Sequence, residues 1–368
     1  MGYLHILRVA LVSAILFTSV GGHCTSPKVR REWRCISPDE RAAWMKAVKC
    51  LTKLPHNPDI YVTVDPAVSL IPAINPNSSY YDDFSYAHMD LNILIHSTGF
   101  FLPWHRLFVQ TLEDELKSKC GYDGVQPYWD WTQDTADFYH ATIWSDSDYD
   151  GLGSWGNSSN DYAISTGALK DMKIAYPVPH NIRRNFTLQP FLGAGPPPSS
   201  NNSTGPPSPD PTLMLNATFT SEVVNFTVSS FTGDYIQFQA DVESWNGPHP
   251  GPHGIVGGDL VGGCPFGLAP PVCYGGPKWS PNDPMFFLHH AMIDKVWYDW
   301  QHRDPRNKNV FAGGTVSWQA GASYAQYPTG GPPFLNTSSV IPGDGLWEKT
   351  TVSDVLDTVG GRLCYVYE

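Results

Sequence analysis

Thirteen histidines stand in this 368-residue chain, and their placement limits its fold more than any other feature. His88, His96 and His105 lie on or beside two helical stretches. His249 and His253 stand four apart, the spacing at which two side chains leave one helix turn on the same face. His290 sits in the middle of an apolar helical run, next to His289. A lone histidine on an apolar face is more often a hydrogen-bonded core residue than a ligand. Two sets of three imidazoles, with neither Cys nor carboxylate in either, describe two neutral sites with open positions, and the fold must then bring both halves of the chain together. Imidazole suits copper and zinc, whereas iron, manganese or magnesium would call for carboxylates. Zinc on three histidines with an open position is a real alternative. The likeness of the two sets, and the absence nearby of an obvious base for hydrolysis, favour a copper pair.

The elements around these residues read as helices. Ser37-Pro38-Asp39-Glu40 places a cap, a proline and two acids at the start of a helix over Arg41 to Leu54. A second runs from Phe84 to Ile95. A third begins near His105, where Leu107, Phe108, Leu112 and Leu116 recur at helical spacing. Between His96 and His105, Ser97-Thr98-Gly99 must turn the chain so that the third imidazole returns to the first two. Asp283-Pro284 opens the helix that carries His290. The proline-rich surroundings of His249 and His253 put that pair at the entrance of its own helix, because proline is tolerated only in a first turn. From Gly193 to Thr212 the chain has too few apolar side chains for a core element, so it reads as a surface loop inserted in one domain. Beyond the last helix, Gly-rich and β-branched patches suggest a few short strands.

Residues 1–22 have the layout of a signal peptide, an apolar stretch after His5 and Arg8 that closes on Gly21-Gly22. Nothing later approaches the ~20 apolar residues of a membrane-spanning helix. Export fits the N-x-Ser/Thr triplets that open at Asn77, Asn157, Asn185, Asn201, Asn202, Asn216, Asn225 and Asn336. A net charge of −12 without a long basic run argues against nucleic acid as a partner. Seven cysteines in an oxidising compartment should be mostly paired. Cys264 and Cys273 are expected to bridge, and Cys24 is expected to be the odd one out.

Longer motifs then point to one family. Phe100-Phe101-Leu102-Pro103-Trp104-His105-Arg106 and Asn282-Asp283-Pro284-Met285-Phe286-Phe287-Leu288-His289-His290 resemble the two signature segments of tyrosinases, catechol oxidases and haemocyanins. Pro127-Tyr128-Trp129-Asp130-Trp131 and Val256-Gly257-Gly258 resemble further family motifs, and Tyr365-Val366-Tyr367 resembles the Tyr-x-Tyr that closes the catalytic domain. The resemblance implies a mainly α fold: a four-helix bundle holding a dicopper centre, wrapped by long loops and a few short strands, in a single domain over 23–368. No shielding domain is expected after the Tyr-x-Tyr, which resembles the short secreted fungal type. By position, His88, His96 and His105 are the ligands of the first copper, and His249, His253 and His290 those of the second. Asp294 is a candidate to fix a ligand's tautomer, or else pairs with Lys295 or Arg303. One of Arg30, Arg31 and Arg34 is expected to pack on the terminal tyrosines.

Two departures bear on activity. Fungal members often carry a Cys two residues before the second histidine and bond it to that ring. Leu94 stands there, which leaves His96 to be held by packing alone. Members that hydroxylate monophenols well commonly have an Asn after the first histidine of the second copper, working with an upstream Glu on a water. Here Pro250 follows His249, and Glu243 is the candidate acid, or else a surface carboxylate near a helix start. The resemblance thus implies oxidation of o-diphenols to o-quinones by O2, with a small phenol as substrate. Tyrosinase-like hydroxylation of monophenols, haemocyanin-like oxygen binding, and a zinc hydrolase or metal-free binding module stand as alternatives.

Overall fold

The computed structural model describes residues 24–64, 71–74, 76–188, 205–207, 212–265, 267–269, 273 and 277–368. The segment read as a signal peptide, and most of 193–212 with Asn201 and Asn202, lie outside them.

Local sequence rules set the helix starts. Helix α1 (Pro38–Leu51) opens on a capping box: Ser37 Oγ accepts from Glu40 N at 3.2 Å, and Glu40 Oε2 accepts from Ser37 N at 2.7 Å. It begins and ends three residues earlier than expected. Helix α2 (Tyr80–Asp90) starts at a second such box, Ser79 with Asp82. The expected stretch to Ile95 breaks at Leu91, and Asn92–Ile95 forms the one-turn helix α3. Helix α4 (Phe101–Cys120) begins before His105, with Pro103 in its first turn, and ends where Gly121 takes the left-handed conformation. Helices α5 (Ser221–Ser230) and α6 (Tyr235–Glu243) lead to α7 (Pro250–Val256), with His249 at its N-cap as the prolines required. In α8 (Met285–Arg303), Asp283 Oδ1 accepts from Met285 N at 3.0 Å, and apolar residues cover most of the surface. Helix α9 (Val352–Leu356) went unread in the sequence. Among the described residues no helix is long and apolar enough to cross a membrane.

The fold is mainly helical. Phe84 of α2, Phe108 of α4, and Phe286 and Phe287 of α8 meet with ring centroids between 5.3 and 5.8 Å, welding these helices around one core. Strands are few and short: β1 (Lys28–Arg30) pairs in parallel with β6 (Tyr365–Tyr367), β2 (Lys173–Ile174) with β3 (His180–Asn181), and β4 (Gly314–Val316) with β5 (Gly331–Phe334).

The β1–β6 pair joins the first and last described segments, and Cys24–Cys364 bonds them there. This corrects the reading of Cys24 as the unpaired residue: Cys50 bonds Cys120, Cys264 bonds Cys273 as expected, and the exposed Cys35 is free. Pairing across 340 residues leaves no local trace in sequence. Of the three basic residues weighed for the terminal tyrosines, Arg30 is the one that packs there, its guanidinium 3.6 Å from the Tyr365 ring centroid. Asp294 serves neither purpose expected of it. It accepts hydrogen bonds from Arg106 Nε, from Tyr365 Oη and, at 2.7 Å, from Tyr367 Oη, with Arg30 Nη1 at 3.4 Å, so it ties α8 to α4, β1 and β6. Arg106 lies one residue beyond His105 on α4, and that proximity explains why a carboxylate one turn past His290 turns to it.

Candidate metal centre

Each of the six expected histidines reaches the core from a different point of this frame. His88 is on the last turn of α2, His96 follows α3, His105 is on α4, His249 and His253 begin α7, and His290 is on α8. They fall in two groups, His88 with His96 and His105, and His249 with His253 and His290, the second group joined by His289. Within each group the nitrogens that could ligate lie within 4.8 Å of one another. The groups abut: the His105 and His290 rings stack 4.3 Å apart at 12°. Phe101, 4.8 Å from His249, and Phe286, 4.1 Å from His290, wedge the rings on their apolar sides.

Hydrogen bonds set the direction of the rings. His105 Nδ1 meets the Phe101 carbonyl at 2.8 Å, and His253 Nδ1 meets the Leu260 carbonyl at 2.8 Å. A carbonyl only accepts, so Nδ1 carries the hydrogen and Nε2 presents a lone pair inward. His96 Nδ1 lies 3.2 Å from the Asn92 carbonyl. Packing alone was expected to hold that ring, but the four-residue return to its own short helix supplies a polar tether as well. Burial penalises the imidazolium form, holding His96 and His253 down at about 4 and His105, His249 and His290 well below 6.5. The buried Nε2 atoms of His105 and His249 and both ring nitrogens of His290 have no hydrogen-bond partner. Neutral, converging imidazole lone pairs without protons to share are what a metal ion would satisfy, and the donor set fits copper or zinc.

His289 differs. Its Nδ1 lies 3.0 Å from Trp131 Nε1, and an indole nitrogen can only donate. Its lone pair is therefore engaged, and its other nitrogen carries the hydrogen. The Pro-Tyr-Trp-Asp-Trp segment had shown family likeness, but its partnership with His289 connects residues 158 apart and has no local signal.

His96 and His249 are partly exposed, while His88, His105, His253 and His290 are buried, so the centre opens to solvent on the His96 and His249 side. Glu243 lies on that side. It is the last residue of α6 and not a surface acid at a helix start: Oε1 accepts from Ser97 N at 2.8 Å and Oε2 from Gln239 Nε2 at 2.8 Å. Burial pushes this carboxyl from 4.5 up to about 8, against those two hydrogen bonds. A folded value above the unfolded one contributes stability that is complete below pH 4.5 and lost as pH rises through about 8. The unfolding midpoint should thus fall across that interval, with a shallower fall in Glu243→Gln. Equal slopes in a thermal-unfolding series would remove Glu243 as a source of the loss.

Comparison with known proteins gives one answer. The family described as the common central domain of tyrosinase matches residues 78–303. The tyrosinase-like protein phomQ1 of Diaporthe leptostromiformis is 30% identical over 94% of this chain and 78% of its own length. The N-acetyl-6-hydroxytryptophan oxidase ivoB of Emericella nidulans is 26% identical over 92% of each chain. A polyphenol oxidase from Thermothelomyces thermophila superposes with a TM-score of 0.62 at 25% identity, covering 93% of this chain and 89% of that one.

Proposed function

Because the chain belongs to the tyrosinase family, we propose that it is a secreted type-3 dicopper polyphenol oxidase that converts o-diphenols to o-quinones. The observation that carries this reading is the pair of all-imidazole groups that abut through His105 and His290. His88, His96 and His105 would hold one copper, and His249, His253 and His290 the other. His289 is left out because its lone pair already accepts from Trp131. When bound, such a copper pair would supply activation of O2 and withdrawal of two electrons from each of two diphenols, with the O2 reduced to two waters.

The chain's own residues supply the rest. The Phe101 and Leu260 carbonyls fix two rings with Nε2 inward. Phe101 and Phe286 exclude water from the apolar sides of the rings, which leaves the His96 and His249 side for a flat phenol to enter. Diphenols are preferred to monophenols for a local reason. Pro250 offers no side-chain donor or acceptor beside His249, and both oxygens of Glu243 are committed, so neither is placed to draw the proton from an incoming phenol. Export is supported by three disulfides, which persist in oxidising compartments.

Oxygen uptake with two substrates tests this reading. The copper-loaded protein should consume O2 with 4-methylcatechol at once, and should leave p-cresol untouched when no catechol primer is present. Prompt turnover of p-cresol would make it a tyrosinase in the strict sense. No turnover of either would sink the oxidase reading.

A further inference from the structure

Ser97, the residue after His96, is held at φ +52°, the left-handed region that costs a side-chain-bearing residue about 1 kcal/mol. Something must hold it there, and two segments far from it in sequence do, helix α6 and the β4–β5 hairpin with Trp318 in its connection. Trp318 Nε1 donates to Ser97 Oγ at 3.1 Å, and Ser97 N donates to Glu243 Oε1 at 2.8 Å. Gln239 Nε2 bonds the Thr98 carbonyl at 2.6 Å and Glu243 Oε2 at 2.8 Å, closing the ring of contacts. The hairpin β4–β5 presses on the same turn: Gly99 N donates to the Gly314 carbonyl at 3.0 Å, and a Cβ on Gly313 would come within 2.5 Å of Gly99 Cα. His96 needs such a hold. It is the partly exposed member of its group, and its ring tether of 3.2 Å is longer than the 2.8 Å of His105 and His253.

We propose that Trp318 and Glu243 are positioning residues for His96, clamping Ser97 so that the imidazole stays aimed into its group, and that Glu243 acts here as a tie rather than as a catalytic acid. The clamp takes the place of a covalent tether on the ring, and it makes the first metal site depend on the hairpin β4–β5. This rests on the copper reading given above, and goes beyond it by naming residues that govern one site of the two.

Trp318→Phe tests the clamp, because it keeps an aromatic ring there and removes the N–H. Copper retention is measured in the full copper-loaded chain against a graded copper(I) chelator, beside thermal unfolding of the copper-free protein. One of the two coppers should leave at ~10- to 100-fold lower chelator than in wild type, the range that orienting partners of metal ligands command, while the other stays. Copper-free unfolding should shift by no more than a few degrees. Adding Ser97→Gly to Trp318→Phe should restore retention, because glycine takes φ +52° without help. Retention of both coppers as in wild type would overturn the clamp. So would loss of both together with a lowered unfolding midpoint, which marks general damage. Wild-type chain that binds no copper would overturn the copper reading itself, and the clamp with it.

Discussion

His105→Ala is expected to leave the chain with at most one copper and to lower catechol oxidation by on the order of 10^3 or more, since metal catalysis supplies several kcal/mol and each 1.36 kcal/mol is tenfold. The loss follows from the centre's construction. His105 Nε2 is buried and without a hydrogen-bond partner, its Nδ1 is fixed on the Phe101 carbonyl, and its ring stacks on His290 of the other group. His289→Ala is the informative contrast. That residue is equally buried and lies within the second group, yet its lone pair accepts from Trp131. The variant should keep two coppers and lose about 1–3 kcal/mol of stability through the orphaned indole N–H. Copper content by elemental analysis separates the two, and a His289→Ala protein short of one copper would refute the assignment by nitrogen occupancy.

The second large effect concerns stability. Asp294→Ala should cost about 3–5 kcal/mol, the range found when one partner of a buried ion pair is removed. Asp294 is buried against Arg106 and Arg30, both also buried, and it receives the hydroxyls of Tyr365 and Tyr367. Its removal leaves Arg106 without a carboxylate partner and Arg30 with Glu113 alone. Arg106 would keep the carbonyls of Val355 and Leu356, so the fold survives at low temperature with its coppers in place. The expected fall in the unfolding midpoint is on the order of 10 °C. A shift below about 1 kcal/mol would mean that the network is locally satisfied without Asp294.

What could be read from the sequence divides along physical lines. Helix starts governed by residues within four positions are legible in the sequence, as at Ser37-Pro38 and Asp283-Pro284. The box of Ser79 with Asp82 is the same kind of signal, and it starts α2 four residues before the expected Phe84. The spacing of the histidines, with the family motifs, was enough to name six of the seven residues that the structure gathers in two groups. What sequence could not show joins distant segments. Cys24 with Cys364, Trp131 with His289, Asp294 with Arg106, and Trp318 with Ser97 are separated by 340, 158, 188 and 221 residues. Their partners are chosen by tertiary packing, and no local periodicity marks them. Glu243 shows the same limit from another side: its candidacy was legible, and Gln239 lies one turn before it on the same helix, but the hydrogen bond from Ser97 N depends on where the turn after His96 comes to rest.

The most direct test of the central claim is the copper stoichiometry of the reconstituted chain, measured on the same preparation whose oxygen uptake with 4-methylcatechol is recorded. Two coppers per chain, with uptake that vanishes when copper is stripped and returns when it is restored, is the result the all-imidazole centre predicts. Zinc in place of copper, a single ion per chain, or uptake indifferent to copper would contradict it.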